Sequence, residues 1–599
     1  GVIESETMPA GNPAKLTHAM DYNANICGVS TEDKATGTNI AVRPYAYLMP
    51  NGQRVCIKEC PTKTSFAKYI CQYDLQSTVD NDPTASLFGY SVIGAAYTLT
   101  YQCMPEYATV VAPYYICVFD SGSSENKDII DAGGGNPLGD PPDTSAFDDL
   151  QNDIIESWWA VLLFGFVVAA LVGFLCLRVL RLPFFLEFLI WGCIFGVALF
   201  LFLIGIMLKT YTADVWKAED PQTHTNGEIA AVEGLGYFFL ALTALWCCLI
   251  CCLRKKIFLA IGITKESAKA LGAMPVLILF PVIQTAGLVA FSCVWFVYLI
   301  YNVSSGEIVK TTYSYNGVET ETASMEYSED TRKAYYYLIF CWFWTSEFIE
   351  AIGQIVVAMA VAMWYFTKDK STIGSTTVFK AIRLSLRYHL GTAAFGSLII
   401  AIIKTLKFML KEIEKKVTTV ASRGGAVGRG LAKAITCCIF CCLECMERCA
   451  KFLNKNAYIQ TAIFSYSFCT AARKAFFLIL RNIMLIGAVA IVSEFVLTLI
   501  LVLIPVGTTF IAYMVYTSME LTSVIGPTLF TFFFAYFTAK KFVETFGMVI
   551  STILQCYVAD TELFEPEDRF AGGSLKAAVS NGNAAARKGA SSKKVAPEK

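Results

Sequence analysis

Between Ser157 and Ala539 the chain carries a succession of apolar runs, most of them about twenty residues long, separated by short polar or basic stretches. A bilayer core takes about 20 helical residues to cross, so runs of this length have few other ways to fold. Nine are legible: Ser157–Leu180, Pro183 to about Met207, Ala231–Leu253, Ala273–Ile300, Ala334–Phe366, Leu390–Leu410, Ala434–Phe452, Ile483–Val502 and Thr522–Ala539. With 55% hydrophobic and only 16% charged residues among 599, the chain reads as an all-α polytopic membrane protein.

Basic residues set the orientation. Arg178 and Arg181, Arg254-Lys255-Lys256, the group Lys368, Lys370, Lys380, Arg383 and Arg387, and Lys540-Lys541 mark cytosolic ends. The alternation is consistent as far as Phe366. Leu390–Leu410 leads into the basic stretch Lys404–Lys433, so either it crosses with positive charge on the wrong side or it and Ala434–Phe452 both lie at the inner surface. Pro275 and Pro281 are expected to kink the Ala273–Ile300 helix. Polar loops are expected around Asp214, Asp220 and His224, and over Tyr301–Lys333. The second loop holds Asn302-Val303-Ser304, a glycosylation sequon.

Residues 1–156 read as an extracellular cysteine-containing domain, with short strands at Ser91–Gln102 and Thr109–Asp120 and a Gly, Pro and Asp-rich linker at Gly133–Asp149. Of the 22 cysteines, Cys27, Cys56, Cys60, Cys71, Cys103 and Cys117 lie here, which predicts disulfides in an oxidising compartment with the pairing left open. Residues 157–558 form the transmembrane part. Residues 559–599, basic and small-residue-rich from Ala571 on, read as a disordered cytosolic tail weakly drawn to anionic lipid. No Met or signal peptide opens the chain, and an upstream segment is expected to have carried the first region across.

Several function classes drop out. The formal charge of -1 comes with scattered basic residues, which gives nucleic acid no patch to bind. No GxxxxGK[ST] loop and no nucleophile with its base are legible, so neither an ATP-driven engine nor an enzyme is expected, and no cofactor. No paired CxxC elements or histidine groups argue for a metal. Cys437, Cys438, Cys441, Cys442, Cys445 and Cys449 form a helical stripe that fits S-acylation and fits simple packing equally.

The stretch Asn454–Asn482 is too polar to cross lipid comfortably and too apolar for a solvated loop. Its Asn and Gln side chains need partners, so it is expected to lie against the bundle near one interface and to organise packing. Its pattern NxNAYIxxAIxxxxFCxxARxAFxLxxRN resembles the signature of the choline transporter-like family. Three further stretches resemble that family in the right order: Trp344 through Phe366, Arg387 through Ile400, and Thr552-Ile553-Leu554-Gln555-Cys556-Tyr557. Asp21 through Gly28 is similar to the start of the family's large outer loop. The resemblance implies a ten-helix bundle whose first helix is absent from this sequence, with Leu390–Leu410 and Ala434–Phe452 both crossing and both termini in the cytosol. It also implies transport of choline, in some members ethanolamine, with proton exchange in some. Lys404 departs from the family, which often carries Gln there.

Choline's quaternary ammonium cannot donate a hydrogen bond, so a site for it needs aromatic faces and counter-charge. Tyr337, Trp342, Trp344, Glu347 and Gln354 share one helix and are the substrate-binding candidates. Aromatics at that spacing also suit a core or an interfacial belt. Glu347 and Glu350 would sit on one face with Gln354. A carboxylate inside a span is costly unless paired, protonated or wet, so Glu347 is a candidate for countering the substrate's charge or carrying a proton. His389 is the second proton candidate, and capping or packing is its plainer role. The expected partners are choline or a related small cation, membrane lipids and a protein partner for the outer domain. The expected location is the plasma membrane, and the rival function is a non-transporting structural subunit.

Overall fold

The computed structural model describes residues 11–73 except 34 and 50–52, 103–120, 123, 145–180, 182, 185–218, 225–315, 318–421, 425–519, 521–565, 567–573 and 575. Ser91–Gln102, Pro183, Asp220, His224, most of the linker and the tail beyond 575 lie outside these residues. The chain divides into two compact units, residues 1–148 with 289–342, and residues 149–288 with 343–599.

The first unit is built on β-structure. Strands β1 (Tyr45–Leu48), β2 (Arg54–Ile57), β5 (Thr109–Ala112) and β6 (Ile116–Phe119) form a sheet in the order β2-β1-β6-β5, with β1 and β6 parallel. β3 (Ser65–Cys71) pairs antiparallel with β4 (Cys103–Glu106). Tyr47, Met49, Val55 and Phe119 fill a small core, and disulfides Cys27–Cys56 and Cys60–Cys117 staple it. Cys71 is also disulfide-bonded and stands opposite Cys103 in the β3–β4 register. So small a core makes such staples physically sensible. The Asp21–Gly28 stretch is a structural turn: Asp21 accepts from the Asn25 amide at 2.8 Å and from the Tyr73 hydroxyl at 2.7 Å.

The second unit is helical, and two helices contribute to both units. In chain order, α1 runs Ser145–Leu162, through a π-helical segment at Leu163–Val168, to Leu180. α2 is Phe185–Ala218, α3 Asn226–Ala273, α4 Val276–Val303 and α5 Glu329–Tyr365. α6 is Ser375–Tyr388, α7 Leu390–Ala421, α8 Gly425–Phe464 and α9 Phe468–Arg481. α10 is Ile483–Tyr516 and α11 Ile525–Leu563. Among the described residues, eight helices are long and apolar enough to cross a membrane, or nine if the bent pair α8–α9 is one span. The chain is an integral, multi-pass membrane protein.

Several expectations change in detail. Tyr301–Lys333 is no simple loop: β7 (Glu307–Tyr315) and β8 (Val318–Glu326) form an antiparallel hairpin. The signal was present, since Asn316-Gly317 between Thr, Tyr and Val-rich runs is a strong hairpin marker. The hairpin is tied to the first unit's N-terminal residues by Lys15 on the Gly306 carbonyl at 2.7 Å and Lys310 on Asn23 at 2.8 Å. Pro275 separates α3 from α4 rather than kinking one helix, and only Pro281 lies inside α4. Asp214 belongs to the helical end of α2 and not to a loop.

The largest revision concerns helix ends. α3 continues some twenty residues past Arg254-Lys255-Lys256, and α11 continues well past Lys540-Lys541. Both extensions are buried with Val356–Tyr365 in one cluster, which is where the Thr552–Tyr557 motif lies. Asp560 at its end accepts from the Tyr365 hydroxyl at 3.0 Å and from the Phe570 and Ala571 amides at 3.1 Å. Ordered chain thus runs on past residue 559, where the tail was expected, and Leu575 is fully buried.

The Asn454–Asn482 stretch is the α8–α9 corner. Ser465 takes a left-handed backbone (φ 58°), and the two helices meet at 106°. Each of its amide side chains finds a partner: Asn454 donates to the Gly396 carbonyl at 2.7 Å, Gln460 to Gln555 at 2.8 Å, Gln555 to Asn456 at 2.7 Å, and Asn482 to the Leu478 carbonyl at 3.1 Å. These bonds join α8 to α7 and α11, as the need for satisfied polar groups requires.

Candidate substrate site beside α5

Two cavities follow one another along α5 and α8. The first, of about 210 Å3, is lined by Glu347, Glu350 and Gln354 of α5, Ile400 of α7, and Lys451, Asn454, Lys455 and Tyr458 of α8, among others. Residues at spacings of three and four share a helix face, which is why α5 presents two carboxylates and an amide together. Glu347 is buried at 6% exposure and is ion-paired with Lys404 of α7, whose ammonium also lies 5.9 Å from the Phe343 ring centre. Gln354 donates to Glu350 at 3.2 Å. Among the described residues the Tyr458 hydroxyl is buried with no hydrogen-bond partner, which costs about 1–3 kcal/mol.

The second cavity, of about 920 Å3, is lined by Met359, Met363 and Phe366 of α5, by Tyr388, His389 and Thr392 at the α6–α7 junction, and by Tyr466 and Phe468 at the α8–α9 corner, among others. It is rich in ring faces. Between the two cavities Tyr458 and Phe468 touch, with ring centres 6.2 Å apart, and Phe395 packs on Phe468 at 5.2 Å. Gly396 sits against this contact: a Cβ there would meet the Tyr458 hydroxyl and the Phe468 ring.

Of the five residues expected to bind substrate, the first cavity's lining holds Glu347 and Gln354. The three rings are engaged otherwise. Tyr337 is 67% exposed. Trp342 packs against Trp295 at 4.7 Å and Phe291 at 6.0 Å between ring centres. Trp344 is partly exposed and donates to the Ala394 carbonyl at 3.2 Å. His389 lines the second, aromatic cavity and not the first. Tyr458 and Phe468 were not picked out as binding residues, and Lys404 stood out only as a departure from the family, because its pairing with Glu347 spans 57 residues and no local spacing encodes it. Buried polar Tyr458 in a motif stretch was the one usable signal.

Elsewhere, Asn302 lies in the last turn of α4 with its amide nitrogen donating to the Thr331 carbonyl at 3.5 Å, and Ser304 of the sequon is fully buried. Cys437, Cys438, Cys441 and Cys442 are all exposed on α8. No group of three or more metal-ligating side chains occurs among the described residues. Glu187 pairs with Lys265 and Glu544 with Lys541, both at surface-accessible positions.

Comparison with known proteins closes the identification. A family model described as plasma-membrane choline transporter matches residues 237–562, more than half of the chain. Choline transporter-like protein 2 of Dictyostelium discoideum is 28% identical over 587 residues, covering 94% of this chain and 88% of that protein. Choline transporter protein 1 of Arabidopsis thaliana is 23% identical, covering 92% and 88%. Choline transporter-like protein 1 of Mus musculus is 31% identical over 313 residues, 52% of this chain and 46% of that protein. The matched span contains α5, α7, α8 and α9, the helices that build both cavities, and the chain belongs to the choline transporter-like family.

Proposed function

We propose that this chain carries choline, or a related small amine such as ethanolamine, across the plasma membrane by alternating access. The observation that carries the reading is the charged cavity: Glu347 and Glu350 supply counter-charge beside Lys451 and Lys455, and Tyr458 supplies a ring face and a hydroxyl that has no partner among the described residues. At about 210 Å3 it suits a small cation better than a drug-sized ligand, whose sites run about 300–1,000 Å3. The aromatic cavity serves as the waiting position, where each ring face attracts a cation by about 0.5–2 kcal/mol. The Tyr458–Phe468 contact is the partition that the cation passes.

Lys404 stands as an internal competitor, since its ammonium already neutralises Glu347. Substrate must displace it. The same pairing favours a second reading, a non-transporting subunit in which the ion pair fills the site permanently and the first unit binds a protein partner. Proton exchange would use Glu347 or His389.

Labelled choline and ethanolamine uptake into proteoliposomes separates these readings. Saturable choline uptake is expected in the wild type, with a loss of tenfold or more in Glu347→Gln and a KM raised about fivefold in Tyr458→Phe, the value of one hydrogen bond of about 1 kcal/mol. Lys404→Gln is expected to lower KM. Uptake driven by an imposed pH gradient would assign the proton-exchange form. No uptake of either amine by well-folded wild type would make the subunit reading correct.

A further inference from the structure

We infer that α3 is S-acylated on the face that carries Cys247 and Cys251, and that the acyl chain on one of these two thiols lies in the groove between α2 and α3. Four cysteines, Cys247, Cys248, Cys251 and Cys252, are exposed within six residues, immediately before Arg254-Lys255-Lys256. That triplet fixes their depth at the cytosolic membrane edge, where membrane acyltransferases work. Position alone does not distinguish the four thiols. The groove does.

A cavity of about 510 Å3 lies between α2 and α3, lined by Trp191, Ile194, Phe195, Trp246, Cys247 and Cys251, among others. Trp191 packs on Phe195 and on Phe258 at 6.0 and 5.4 Å between ring centres, and the Trp246 indole donates to the Ile194 carbonyl at 3.3 Å, so the walls are held in place. Cys247 and Cys251 are four residues apart and share the helix face that meets this groove. Cys248 and Cys252 are turned about 100° from it and are absent from its lining. The occupant is therefore a single chain attached to one of the groove's own thiols: it is tethered at the mouth, apolar, and of a size with the space. In the reaction a cysteine sulfur attacks the carbonyl of a long-chain acyl-coenzyme A thioester, the thioester C–S bond breaks, and coenzyme A leaves as its thiol with the cysteine's proton. No electron donor or acceptor is needed.

The test uses the full chain made in eukaryotic cells. Hydroxylamine-dependent maleimide mass tagging is run with Cys437, Cys438, Cys441, Cys442, Cys445 and Cys449 changed to Ser, so that the second cysteine cluster cannot contribute. Tags that persist in this background, vanish in Cys247→Ser with Cys251→Ser, and survive Cys248→Ser with Cys252→Ser are the expected result. Loss in the second pair instead, or no tags at all, overturns the assignment. Should the background variant not fold, peptide mass spectrometry of the wild type decides: acyl groups placed by fragmentation on Cys247 or Cys251 uphold the proposal, and acyl groups on Cys248 or Cys252 alone, or an unmodified peptide, end it.

Discussion

Gly396 sets how closely α7 can approach α8. A methyl group there meets the Tyr458 hydroxyl and the Phe468 ring, whereas nothing stands within 4 Å of a methyl group at Gly391, five residues earlier in the same motif. Of these two glycines of the motif, only Gly396 is closely packed. Gly353 of α5 is another tight point, filled by the Gln284 side chain that donates to the Ile349 carbonyl at 2.9 Å. Gly396→Ala is expected to destabilise by about 1–3 kcal/mol, as overpacked sites do, and to cut uptake by displacing Tyr458. Thermal unfolding and uptake measured together check this. An unchanged midpoint with unchanged uptake would mean that the Tyr458 ring has room to swing aside.

At the scale of elements, the outer turn from Asp21 to Asn39 offers a pH handle. Burial alone would raise the Asp33 carboxyl, but hydrogen bonds from Thr36 at 2.6 and 2.9 Å and from Asn25 at 2.8 Å outweigh it and hold the group below its ordinary 3.8. A carboxyl depressed in the fold contributes stability above its unfolded pKa and loses it as pH falls through the folded value. Asp33→Asn should therefore speed amide exchange across this turn at neutral pH, with the difference from wild type shrinking below about pH 4. A difference that persisted in acid would mean that shape rather than charge holds the turn.

The elements also show what the sequence could tell. Apolar length located eight spans, because lipid demands it, whereas Ala434–Phe452 counts only within the bent α8–α9 pair, and polar side chains in Asn454–Asn482 foretold cross-helix bonds. Basic clusters, however, mark where a membrane ends and not where a helix ends. α3 and α11 therefore ran on unseen, since nothing breaks either helix at its basic cluster and their apolar extensions bury against each other and α5. The Glu347–Lys404 pair was equally hidden: its partners are 57 residues apart, and each was legible only singly.

For the whole molecule, orientation follows from the basic ends. An impermeant amine reagent on sealed cells should label Lys310 of the β7–β8 hairpin, and should reach Lys255 and Lys256 only after permeabilisation, as peptide mass spectrometry would read. The reverse pattern would turn the protein over in the membrane. On the proposed reading, the Glu347–Lys404 pair then bears on how the carrier returns. A bare carboxylate in the bilayer resists reorientation, which is what binds many exchangers to a cargo in each direction. A lysine fixed nearby acts as a ligand at high effective concentration, always at hand and never released. It lets the unloaded protein turn around neutral, so that the cycle closes without a return passenger.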